Sequence, residues 1–229
     1  NGTTNPREIC VLTAYLDSWS IVPALAPGAT DALGVSALLN LAKFLAQNPP
    51  KRSVMLIVFA GHWQSLWGAR EWVDKHFGML RNVKFFVSLD LSAGSQQLAV
   101  YNRGNVYSYT NIQVLNGRYT QLISLLFQTY LPALKEILGA RYGEYFLDQI
   151  LLTYPPWISA CPPTEFMGAT YFDSEPYVAA CYGGGFAFHT TNDARHFMKT
   201  PADTFDKIQW ENYWPQVQFI FASLYALLN

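Results

Sequence analysis

An apolar run that ends in an acid constrains this chain most. Ile9 to Leu16 holds Val11, Leu12 and Thr13 without a charge, which predicts a buried strand, and Asp17 closes it. A second acid, Asp31, stands directly ahead of the apolar-periodic segment Ala32–Gln47, which predicts a helix. Acidic side chains at the carboxyl end of a strand and at the start of the next helix face the crevice where α/β sheets place their sites. A strand, a polar turn and a helix in this order therefore predict both a layer architecture and the edge on which chemistry would sit.

The rest of the chain continues the alternation. Strands are predicted at 54–60, 83–90, 98–101 and 186–188, and helices at 66–77, 120–138, 175–181 and 211–228. Pro49-Pro50-Lys51-Arg52 reads as the loop between a helix and a strand. Such alternation implies a largely parallel sheet flanked by helices. With 229 residues, 51% hydrophobic and 14% charged, the chain is expected to form one compact α/β domain with a large core. The net charge of −1 and the lack of a basic cluster argue against nucleic-acid binding. No apolar run reaches the roughly 18 residues that a membrane span needs. The chain opens on Asn1 rather than methionine, which suggests a processed product or an excised piece. Asn1-Gly2-Thr3 has the form of a glycosylation sequon, but its terminal position makes chance the better reading.

Five ordered motifs carry a resemblance. They are Ala14-Tyr15-Leu16-Asp17-Ser18, Gly28-Ala29-Thr30-Asp31, Gly61-His62-Trp63-Gln64-Ser65-Leu66-Trp67-Gly68, Ser88-Leu89-Asp90 and Lys199-Thr200-Pro201-Ala202-Asp203-Thr204. In this order they resemble the co-catalytic zinc aminopeptidases, family 28 of the metallopeptidases. Phe172-Asp173-Ser174-Glu175-Pro176-Tyr177 resembles a weakened form of that family's substrate-side segment. The resemblance implies a zinc-exopeptidase-like three-layer αβα sandwich with a mixed, mostly parallel central sheet. It also implies one aminopeptidase-like domain over residues 1–229, with the family's N-terminal elements either absent or on a missing segment, and with an insertion at about 101–165.

By the same resemblance, the metal-ligand positions are Tyr15, Asp31, Trp63, Asp90 and Lys199, and the catalytic positions are Asp17 and His62. The family fills these ligand positions with two histidines, two aspartates and a glutamate; here only the aspartates remain. Zinc takes imidazole, thiolate or carboxylate donors, usually four per ion. Tyrosine is a poor ligand at neutral pH, the tryptophan indole offers no lone pair, and lysine brings positive charge. No metal, cofactor or catalytic residue is therefore expected, and zinc enters only under an alternative reading. Asp31, Asp90 and Lys199 form a candidate charge cluster, because an ammonium would balance carboxylates left without metal. A Lys199 that simply points to water stays open beside it.

The four histidines divide by position. His62 could transfer protons but has no metal-bound water to act on, so a hydrogen-bonded structural role is expected. His76 falls at a helix end, where a cation suits the dipole. His189 and His196 bracket a polar segment that is expected to be a loop at the site rim, with a relocated ligand among them as the alternative. No Gly-x-Ser-x-Gly elbow is present. Gly183-Gly184-Gly185 reads as a turn before a strand, since it lacks the lysine and spacing of a phosphate loop. Cys10, Cys161 and Cys181 show no metal-ligand spacing, and Cys10 reads as a buried strand thiol. Aromatic residues gather at Tyr101–Tyr119 and Tyr142–Trp157, as core under long loops or as a binding face.

The first reading of function is an aminopeptidase-like domain that has lost its two-zinc centre and acts as a binding or scaffold module. The resemblance places the transferrin receptor and nicastrin among such members, and favours an extracytoplasmic setting with a protein or peptide partner. The rivals are an active hydrolase with a rebuilt site, using Asp31, Asp90, His62 and His189 or His196, and an assembly subunit of a larger polypeptide.

Overall fold

The computed structural model describes residues 1–64, 66–101, 150–152, 184–190 and 193–229, together with single helical residues at 133, 136 and 137. Among the described residues, six strands form one sheet: β1 (Asn5–Tyr15), β2 (Arg52–Phe59), β3 (Val83–Asp90), β4 (Leu98–Tyr101), β5 (Ile150–Leu152) and β6 (Gly184–Thr190). Their order is β2-β1-β3-β6-β4-β5. The pairs β1–β2, β1–β3, β3–β6 and β4–β5 are parallel, and β4 runs antiparallel to β6. The sheet is therefore mixed and mostly parallel. Among the described residues, the helices α1 (Ala32–Gln47), α2 (Trp67–Lys75) and α3 (Trp210–Leu228) flank it.

Alternation along the strands divides the core in two. Cys10, Leu12 and Ala14 of β1 face α1 and α3 together with Val87, Phe186 and Phe188. Val11 faces the opposite side, where Phe86 and Phe59 meet Leu66, Ala69 and Val73 at α2. Helices cover both faces, which gives the three-layer sandwich. Each large side chain buried this way contributes roughly 1.5–3 kcal/mol. Gly34 sets how closely α1 lies on the sheet: a Cβ there would stand 2.4 Å from the Leu89 carbonyl oxygen. That close approach holds Asp31, at the start of α1, against the carboxyl ends of β1 and β3. Cys10 is fully buried, and burial pushes its thiol up to about 12, which keeps it unreactive.

Several boundaries differ from the sequence expectation, each for a local reason. β1 begins at Asn5, before the apolar run, because Glu8 is held by Arg52 at 2.9 Å and Lys84 at 3.2 Å across the strand ends. α2 stops at Lys75, and a 3₁₀ turn over Phe77–Asn82 leads into β3. Gly184 and Gly185 are not in a turn; they lie in β6, paired with Phe85 and Phe86, since a ladder needs only backbone groups. β5 is a three-residue strand that too short an apolar run left unannounced. Of the predicted helix 120–138, residues 133, 136 and 137 are helical. The predicted helix 175–181, the segment Phe172–Tyr177, Cys161, Cys181 and the bulk of both aromatic clusters lie outside the described residues. No helix among the described residues is long and apolar enough to cross a membrane.

Candidate functional site

Asp90 ends β3, is 5% exposed, and meets three donors. The Tyr15 hydroxyl donates to its Oδ1 at 3.0 Å, and Arg195 Nη1 donates to the same oxygen at 2.8 Å. His189 Nδ1 lies 2.7 Å from Oδ2. A carboxylate only accepts, so Nδ1 carries the proton in this bond, and the Arg195 Nη2 that lies 3.3 Å from it cannot donate to that nitrogen. Sheet register explains the arrangement: Asp90 pairs directly with His189 where β3 and β6 run side by side. Burial by itself would push the Asp90 carboxyl up, but the charges of Arg195 and His189 outweigh it and hold the group well below the usual carboxylate range. The phenol of Tyr15 goes the other way, raised well above its usual value by burial and by the neighbouring anion.

Arg195 comes from the loop after β6. Asp193 shapes that loop by accepting from the Ser92 hydroxyl at 2.6 Å, the Gly94 amide at 2.8 Å and the Arg195 amide at 2.9 Å. Arg195 itself has a left-handed backbone, φ 46°. The loop is thereby tied to the end of β3, and the guanidinium is delivered to Asp90. From sequence, Lys199 was a candidate for that role, with a lysine pointing to water as the open alternative. The correction follows from chemistry and placement: the planar fork of arginine suits a carboxylate, and Lys199 is directed elsewhere. His189 is likewise not a rim residue; it is 3% exposed within β6, whereas His196 is exposed on the loop.

The second half of the site is aromatic. Gly61, at φ 75°, turns the chain after β2 so that the His62 amide donates to Asp17 Oδ1 at 3.1 Å. The Trp63 indole donates to the Asp17 carbonyl oxygen at 3.2 Å. Asp17 thus organises backbone here. The His62 ring stacks on Tyr15, with centroids 3.9 Å apart, and meets Trp63 edge-on at 5.0 Å. Tyr15 and Trp63 form a further edge contact at 5.9 Å. The Lys199 ammonium lies 3.5 Å from the Trp63 ring centroid and 4.9 Å from that of Trp19. At the end of α2, the exposed His76 stacks on Trp72 and lies 2.8 Å from its carbonyl oxygen.

Asp31 is 3% exposed, and among the described residues neither of its carboxylate oxygens has a hydrogen-bond partner. Burial raises its carboxyl to about 6; the nearby Ser18 hydroxyl opposes this without reaching hydrogen-bond geometry, and the charges of Asp90 and Asp203 add to it. Lys199 lowers it from a distance. Asp203 clamps the neighbouring residue, accepting from the Thr30 amide at 2.9 Å and the Thr30 hydroxyl at 2.6 Å. The last sequence motif is thereby brought onto the second. A cavity of about 300 Å³ opens beside this clamp, between the 193–197 loop and Lys207. Tyr15, Asp31, Trp63 and Asp90 do not line it.

The donor set does not fit a two-zinc centre. Asp90 is saturated by Tyr15, His189 and Arg195. Trp63 offers a ring face, and two cations, Arg195 and Lys199, enter the same space. Of the family-equivalent ligand positions, Asp31 is the one whose carboxylate oxygens have no partner among the described residues. Among the described residues, no group of three or more His, Cys, Asp or Glu side chains is placed to hold a metal ion.

The profile of peptidase family M28 matches residues 1–135, more than half of the chain. The chain belongs to peptidase family M28. Among individual relatives, transferrin receptor protein 2 of Rattus norvegicus is 25% identical over 219 residues, covering 90% of this chain and 24% of the receptor. A probable zinc metalloprotease of Pyrenophora tritici-repentis is 35% identical over 100 residues, covering 42% of this chain and 23% of that protein. The chain thus spans about a quarter of the length of the curated relatives it matches. Of solved structures, the zinc aminopeptidase BSAP from Bacillus subtilis superposes with a TM-score of 0.64 at 19% identity, over 100% of this chain and 48% of the enzyme. The γ-secretase component nicastrin superposes with a TM-score of 0.63 at 10% identity, over 96% of this chain and 40% of nicastrin. These likenesses establish the M28 aminopeptidase fold.

Proposed function

We propose that this M28 domain is non-catalytic and serves as a binding or scaffold module for a protein or peptide partner. The engagement of Asp90 by Arg195, His189 and Tyr15 carries this reading: a carboxylate that the family resemblance places at a metal-ligand position is held here by fixed organic donors. A metal would have to displace a largely buried arginine paired at 2.8 Å, and that arginine would lose its counter-ion in the process. The relatives are consistent with a recognition role, since one is named a receptor and another fold neighbour a secretase component. Such a module needs no cofactor, and the net charge of −1 disfavours nucleic acid as the partner.

The test is an aminopeptidase assay on aminoacyl chromogenic substrates, run after dialysis against zinc and again after chelation. The reading expects no hydrolysis above a heat-inactivated control under either condition. Chelator-sensitive release of the amino-terminal residue would overturn it. A rebuilt hydrolase is the second reading. It is favoured by Asp31, whose carboxyl at about 6 lies where a general base works. It expects hydrolysis that chelation leaves intact and Asp31→Asn abolishes.

A further inference from the structure

The aromatic half of the site carries an unassigned binding feature. Trp63 is held rigidly: its indole donates to the Asp17 carbonyl oxygen at 3.2 Å, and His62 and Tyr15 meet it edge-on. Trp19, at 51% exposure, stands at the solvent side. The Lys199 ammonium sits within cation–π range of both rings. We propose that Trp63 and Trp19 form an aromatic cage for an alkylated ammonium group, and that Lys199 occupies this cage in the free chain as a displaceable internal ligand.

Three observations support this. The first is the ammonium itself, which stands in for the class of ligand that the two rings accept. The second is Asp31, a buried carboxylate with both oxygens unpartnered, close enough to feel the charge of Lys199. It supplies a negative field without a hydrogen bond, which suits an alkylated cation that has no N–H to give. The third is backbone conformation. Lys199 is a non-glycine residue at φ 66°, and Arg195, four positions earlier, is at φ 46°. Left-handed backbone is uncommon at such residues, and it turns the Lys199 side chain over the two rings while Arg195 anchors the segment to Asp90. The proposal stands whether the domain is catalytic or not.

An internal ligand reduces apparent affinity by the fraction of time it leaves the site free; a cage open about one-tenth of the time binds about tenfold more weakly. The experiment titrates the intact chain with tetramethylammonium chloride against sodium chloride at equal ionic strength, following the indole N–H signals of Trp19 and Trp63 by NMR. Saturable shifts at both indoles are expected in the unsubstituted chain. Lys199→Met should bind about tenfold more tightly, and adding Trp63→Leu to that variant should abolish binding. Absence of indole shifts in both the unsubstituted chain and folded Lys199→Met would overturn the proposal, as would binding that survives Trp63→Leu. If Lys199→Met does not fold, acetylation of the unsubstituted chain decides the matter by mass spectrometry. Lys199 should react slowly alone and faster with tetramethylammonium present; a rate unchanged by the cation would contradict the cage.

Discussion

Arg195 and Asp31 face opposite electrostatic problems within one site. Arg195 is the permanent counter-ion of a buried aspartate, so Arg195→Met should leave Asp90 with only the His189 and Tyr15 hydrogen bonds and cost about 3–5 kcal/mol near neutral pH. Asp90→Asn combined with Arg195→Met should cost less than the sum of the single changes, because each removes the other's partner. Urea denaturation of the three variants measures this coupling; additive losses would show that the pair is not coupled. The pH dependence has a definite sign for each acid. Asp90 is held below its unfolded pKa, so its stabilisation is present above that value and is lost as acid titrates the folded group. Asp31 is raised from 3.8 to about 6, so the folded state binds that proton more tightly than the unfolded chain. Its ionisation therefore removes stability as pH rises from about 4 to 6, and the loss stays constant above that. Two pH units correspond to about 3 kcal/mol. Asp31→Asn should accordingly be more stable than the unsubstituted chain at pH 7.5, with the difference closing near pH 4. A melting-temperature difference that is independent of pH would contradict this.

At the scale of elements, the positions of α1 and of the loop after β6 decide what the site contains. Gly34 lets α1 lie on β3, and a Cβ at that position would stand 2.4 Å from a backbone oxygen that cannot rotate away. Gly34→Ala should therefore destabilise by about 1–3 kcal/mol despite alanine's better helix propensity. Denaturant melting checks this, and a stabilised variant would mean that α1 is free to shift. The elements were legible from sequence where a hydrophobic period was uninterrupted: α1 and β3 begin and end where predicted. They were illegible where pairing overrode composition, as with Gly184 and Gly185 in β6. The same limit applied to the site. Tyr15, Asp31, Trp63 and Asp90 were identified by their places in ordered motifs, and the structure gathers their elements at one sheet edge. Arg195 was missed because its role depends on the β3–β6 register and on a loop turned back by Asp193, neither of which leaves a spacing pattern. Lys199 occupies a motif position, but the pull of two tryptophan rings on its ammonium cannot be read from a linear sequence.

For the molecule as a whole, the M28 sandwich is present although the residues at the expected ligand positions do not make the donor set of a two-zinc centre. The core that supports the sheet, including Leu12, Val87, Phe186 and Phe188, is built independently of the crevice residues. Ligand side chains can therefore be exchanged without loss of the fold, provided the remaining charges are balanced. Here Arg195 and His189 balance Asp90, and aromatic rings stand beside them. On this account, Trp63→Glu should not restore metal binding, because Arg195 still occupies Asp90; zinc uptake by that variant alone would show that the arginine yields readily. The most direct test of the central claim is the zinc content of the unsubstituted chain, measured by elemental analysis after equilibration with excess zinc and removal of loosely held metal. The account predicts no stoichiometric zinc and a melting temperature unchanged by the treatment. Near two zinc ions per chain, with a raised melting temperature that a chelator reverses, would contradict it.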